Sequence, residues 1–154
     1  MVISKLNIDK IVKTLSLIQE CIVELKKLSM MEKKEFLSDK RNPASGESYL
    51  RRSLEAIFDI GRHLLAKSYG IKDLEYKKIA LELGEKGIVE NEYSRILMKM
   101  AGYRNRMVHL YYEIGPEEIY EILKNHLSDI EQFVEKIANF IETYKKGLKD
   151  KKPI

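Results

Sequence analysis

The chain has 154 residues, of which 44% are hydrophobic and 34% charged. That composition fits one well-solvated globular domain over residues 1–154 and excludes a disordered chain. The formal net charge of +4 and a pI of about 9.0 permit a nucleic-acid partner without requiring one.

The first predicted helix runs from about Asn7 to Met31. Its apolar residues, Ile8, Ile11, Val12, Leu15, Ile18, Ile22, Leu25 and Leu28, recur at gaps of three and four. The single cysteine, Cys21, lies in this pattern; it has no internal disulfide partner and reads as a buried structural thiol. Met1 to Lys10 lacks the apolar core of a signal peptide, and no apolar run reaches membrane-spanning length. A cytoplasmic protein is therefore expected. Glu32 to Asp39 either extends the helix or forms a short turn, and Arg41 to Gly46 reads as a loop by composition.

A second helix is predicted from about Glu47 to Tyr69, with Leu50, Leu54, Ile57, Phe58, Leu64 and Leu65 inward. Gly61 allows a neighbour close, and Gly70 reads as a left-handed stop. Asp59 borders this stripe, with Glu55 and Arg62 near it. A carboxylate there calls for a partner such as Arg104. A third, shorter helix covers about Glu75 to Leu83, with Tyr76, Ile79, Ala80 and Leu83 on its apolar side, and Gly84 and Gly87 break the chain after it. The fourth helix spans about Asn91 to Val108 and ends near His109. A fifth then starts at Pro116, a residue suited to the first helical position, and continues to about Lys146. No strand alternation and no internal repeat appear. The fold predicted is an all-α, up-and-down antiparallel bundle of four long helices and one short, with an ordered core over about 7–146. Beyond it, Lys145 to Lys152 reads as a frayed tail.

The end of the fourth helix concentrates the chemistry. Gly102 to Tyr112 holds Arg104, Arg106, His109 and the phenols of Tyr103, Tyr111 and Tyr112. A guanidinium and an imidazole together suit cleavage of a phosphodiester. Arginine offers a planar fork to non-bridging oxygens, and histidine can take a proton from a ribose 2′-hydroxyl or give one to the leaving oxygen. Neither task needs a metal. His63, His109 and His126 are dispersed, no HxxxH or CxxC spacing occurs, and no glycine-rich phosphate loop is present. No metal and no cofactor are expected.

Arg104 and His109 are five positions apart, so on an ideal helix they lie about 140° apart and share no face. They reach one site only if the helix unwinds at His109 or if two copies pool their residues. Asn105 can bond a phosphate or orient the arginine, and Tyr111 borders the same pocket if the chain is extended after His109. On composition alone the plainer reading is a polar helix end with a capping histidine, and Tyr111 and Tyr112 as half-buried rim aromatics.

Read as a whole, Arg104-Asn105-Arg106-Met107-Val108-His109-Leu110-Tyr111 resembles the RNxxxHxY signature of the HepT-like toxins, a branch of the HEPN nuclease superfamily. Tyr49 to Gly61 resembles that family's second core helix, and Gly87-Ile88-Val89 and Met100 to Tyr103 resemble the approach to its motif. The resemblance covers about Ile8 to Ile141. It implies a helical homodimer whose paired motifs line one cleft. It also implies metal-independent RNA cleavage by Arg104 and His109, supported by Asn105, with Asp59, Arg106 and Tyr112 as further candidates. The implied partner is a nucleotidyltransferase antitoxin of the MntA type, which adds AMP units to the motif tyrosine, here Tyr111. AMPylation would place bulk and negative charge beside the cleft. Gly115 stands where relatives tend to carry an aspartate helix cap. The modest net charge would need a local basic patch, from Arg51, Arg52, Arg95, Arg104 and Arg106, to hold RNA. The alternatives are a catalytically inactive HEPN-type dimer that binds a nucleotidyltransferase or a nucleotide, and a purely structural bundle.

Overall fold

The computed structural model describes residues 6–109 and 114–150, with side chains through 148. Tyr111 and Tyr112 lie outside these residues. Among the described residues there are seven helices: α1 (Ile8–Ser29), α2 (Lys33–Ser38), α3 (Arg41–Tyr69), α4 (Tyr76–Glu85), α5 (Asn91–Val108), α6 (Pro116–Asn125) and α7 (Leu127–Asp150). The all-helical expectation holds, and no strand occurs among the described residues. The count differs: the four long helices are α1, α3, α5 and α7, accompanied by three short ones rather than one.

Buried apolar side chains from α1 and α3 to α7, with Phe36 of α2, form one continuous cluster. The stripe of α1 is buried as predicted at Ile11, Leu15, Ile18, Ile22, Leu25 and Leu28, and Cys21 is buried with it, while Val12 is exposed. Gly70 closes α3 with φ 69° and ψ 18°, its N–H reaching Ala66 O and that of Ile71 reaching Leu65 O. Gly61 lets α4 press against α3: a Cβ there would stand 2.8 Å from Ile79 Cγ2.

Three local departures have physical causes. The stretch from Arg41 to Gly46, expected as loop, is the first turns of α3. Pro43 sits where backbone N–H groups have no helical partner, so it costs no hydrogen bond. Gly46 is buried under Ile119 and Leu123 of α6, so packing overrides composition. Asp39 accepts the Arg41 backbone N–H at 3.0 Å and that residue's guanidinium, which holds the Asp39 carboxyl down at a pKa of about 2.

The fifth predicted helix is two, parted at His126. His126 Nδ1 lies 3.2 Å from Asp129 Oδ2, and its carbonyl accepts the Asp129 N–H at 3.1 Å, a side-chain and backbone turn that opens α7. The apolar spacing runs on through the break, so periodicity could not reveal it. Gly84, expected as a breaker, lies inside α4; Gly87, with φ 72°, is the left-handed turn residue that follows. No described helix is long and apolar enough to cross a membrane.

Candidate functional site

The end of α5 packs toward α3 and α4 through Arg104. Its Nε donates to Glu55 Oε1 of α3 at 2.6 Å, and its guanidinium carbon lies 3.8 Å from the centroid of the Tyr76 ring on α4. The Tyr76 hydroxyl donates to the other Glu55 oxygen at 3.4 Å. Phe58 meets the same ring edge-on at 5.4 Å between centroids and fixes its plane. The Arg104 side chain is 16% exposed and that of Glu55 35%, so the pair is mostly withdrawn from water yet reachable. Asn105 Oδ1 accepts from Arg104 Nη1 at 3.4 Å. The guanidinium is thus held on its Nε edge and on one face, and Nη2 makes no hydrogen bond among the described residues.

Helix α5 ends at Val108, and His109 adopts extended geometry, φ −93° and ψ 114°, after its N–H closes the last turn on Asn105 O at 3.0 Å. His109 borders a half-open cavity of about 300 Å³ between the first turns of α3, the end of α5 and the start of α6. Glu47 and Arg106 border it with His109. Arg106 forks onto Glu118, Nη1 to Oε2 and Nη2 to Oε1, both at 2.7 Å, so the end of α5 and the start of α6 are clamped together. Gly115 caps α6 without a side-chain bond, with Pro116 at its first positions.

Arg104 and His109 therefore face different surroundings. Among the described residues, no hydrogen bond, ion pair or shared cavity joins them. The helix does end at His109, but within one chain that does not unite the two groups.

Asp59 lines the same groove as Glu55 but makes no hydrogen bond or ion pair with Arg104 among the described residues. It is exposed and pairs at 3.6 Å with Arg62, one turn along α3. Glu55, one turn earlier, is the carboxylate that takes Arg104. The five arginines expected to form a patch do not all converge. Arg51 and Arg52 border the groove between α1 and α3 that Glu55 also lines, whereas Arg106 belongs to the cavity beside His109. Tyr76, read as an apolar residue, and Glu47, read only as a helix start, are the site residues the sequence did not single out. Their type and spacing carry no signal; only the packing of α3 against α4, α5 and α6 brings them there. Among the described residues no three His, Cys, Asp or Glu side chains cluster as metal ligands would.

The model of the family described as ribonuclease HepT-like matches residues 18–137 of this chain. The chain belongs to that family. Among its HepT relatives is a tRNA nuclease HepT of Aphanizomenon flos-aquae, 27% identical over 139 residues, an alignment covering 89% of this chain and 95% of the relative. The mRNA nuclease HepT of Shewanella oneidensis is 28% identical over 130 residues, covering 84% and 96%. Among solved structures, the tri-AMPylated HEPN toxin of Shewanella oneidensis in complex with its MNT antitoxin superposes with a TM-score of 0.77 at 26% identity, over 85% of this chain and 98% of that one. The bundle is thus a HepT-like fold along most of its length.

Proposed function

We propose that this HepT-like chain is the ribonuclease toxin of a toxin–antitoxin pair, and that two copies pool Arg104, Asn105 and His109 into one RNA-cutting cleft. The observation that carries the reading is the setting of Arg104: a guanidinium pinned by Glu55 and Tyr76 with its far edge left for a phosphate. Relatives named as nucleases of tRNA and mRNA support RNA as the substrate class.

The chemistry follows from the two groups. His109 takes the proton of a ribose 2′-hydroxyl, whose oxygen attacks the adjacent phosphorus. The bond from 2′-oxygen to phosphorus forms and the bond to the 5′-oxygen breaks. A proton delivered to that oxygen, from the second copy's imidazole or from water, leaves a 5′-hydroxyl and a cyclic phosphate. Arg104 meets the negative charge that builds on the non-bridging oxygens. Because Glu55 and Tyr76 already hold it, little reorganisation is needed at the moment of reaction.

The antitoxin-bound Shewanella oneidensis toxin supports a nucleotidyltransferase of the MntA type as partner. It would transfer AMP from ATP to the Tyr111 hydroxyl, forming a phenol–phosphorus bond and releasing pyrophosphate. A phosphate two residues from His109 would repel RNA. The test is cleavage of single-stranded RNA by the purified chain in EDTA. Wild type should cut, and Arg104→Ala and His109→Ala should each lose cutting by roughly a hundredfold or more. Equal cleavage by wild type and His109→Ala would refute the assignment. Mass spectrometry after co-expression with the partner should find AMP on Tyr111 rather than Tyr112.

A further inference from the structure

We propose that the cavity beside His109 is a nucleobase subsite, and that Glu47 makes it prefer guanine. The inference rests on the reading of the chain as a ribonuclease and specifies which nucleotide would lie beside the cut.

The cavity, about 300 Å³, has apolar walls from Pro43, Ile114, Pro116 and Ile119 that suit the flat face of a base. Among the described residues its polar groups are few. Arg106 is committed to Glu118 through both Nη atoms. Glu47 is half-buried, lines the cavity, and takes no hydrogen bond or ion pair among the described residues. A carboxylate partly withdrawn from water favours a ligand that brings donors. His109 borders the same space, so a base seated there sets its own phosphate near that residue.

Guanine fits an acceptor-only wall best. Its Watson–Crick edge presents N1–H and the 2-amino group side by side, matching the two oxygens of a carboxylate in a parallel pair. Adenine and cytosine each offer one amino group beside an acceptor nitrogen. Uracil offers one N–H between two carbonyls, which would face the carboxylate. Reading a splayed base by its Watson–Crick edge is how single-stranded RNA is ordinarily distinguished.

The test titrates the four nucleoside 3′-monophosphates, GMP, AMP, CMP and UMP, into the isotopically labelled full chain and follows backbone amide signals. GMP should bind at least about tenfold more tightly than UMP, the size of one charge-assisted hydrogen bond. Signals of Glu47 and Ile119 should move. Glu47→Gln presents one donor and one acceptor, so it should lose the guanine preference and shift toward AMP. Four equal affinities, or a preference that survives Glu47→Gln, would overturn the subsite. Binding needs no turnover, so the two readings fail separately. Cleavage without guanine preference would sink the subsite alone. Guanine-selective binding without cleavage would uphold the subsite and sink the nuclease.

Discussion

The guanidinium of Arg104 lies against the ring of Tyr76, 3.8 Å from its centroid, and this contact couples α4 to the end of α5. A cation over an aromatic face contributes about 0.5–2 kcal/mol. If that contact holds Arg104 in its working position, Tyr76→Leu should lower kcat for RNA cleavage roughly twofold to thirtyfold. Tyr76→Phe keeps the ring and loses only a 3.4 Å hydrogen bond to Glu55, so it should stay near wild type. Steady-state kinetics on both variants separates the two. Equal loss in both would move the role from the ring to the hydroxyl.

Acid should weaken the fold through His63. Its Nε2 accepts the Asn7 N–H at 3.1 Å just before α1, so the ring is neutral in the folded chain. Burial, then the charges of Lys10 and Lys67, lower its pKa below the ordinary 6.5. The unfolded chain therefore binds the proton first as pH falls. This contribution is full above about pH 6.5, is lost as pH drops from there to the folded pKa, and then levels off. Thermal unfolding between pH 8 and pH 5 should show a shallower fall in Tm for His63→Gln than for wild type.

Packing between α4 and α5 leaves no room at Gly84. A Cβ there would stand 2.6 Å from both Cβ and Oγ of Ser94, whose hydroxyl donates to Ala80 O at 2.7 Å. Gly84→Ala must push the two helices apart or break that bond. The expected cost is about 1–3 kcal/mol, a drop of several degrees in Tm. An unchanged Tm by calorimetry would mean that the helices yield more easily than this contact implies.

What the sequence disclosed was whatever repeats along one helix. The stripe of α1, the stop at Gly70 and the end of α5 at His109 were all legible, because each is written in neighbouring residues. The start of α3 was not, because Gly46 is helical on account of Ile119, more than seventy positions away. The break at His126 was hidden for the opposite reason, since the apolar spacing passes through it unaltered. At the candidate site, Arg104, Asn105 and His109 stood out by residue type. The carboxylate that holds Arg104 did not, for Glu55 and Asp59 lie one turn apart on α3, and only the approach of α4 and α5 selects between them.

The pooling of Arg104 and His109 across two copies is tested most directly by mixing inactive variants. Arg104→Ala and His109→Ala are purified with different tags, exchanged, and assayed on single-stranded RNA, with mixed dimers counted by native mass spectrometry. A mixed dimer carries one intact pair, an arginine from one copy and an imidazole from the other. Random exchange makes half the dimers mixed, so up to roughly half of wild-type activity should return. A mixture that forms the mixed dimers and cuts no better than either variant alone would contradict the shared cleft.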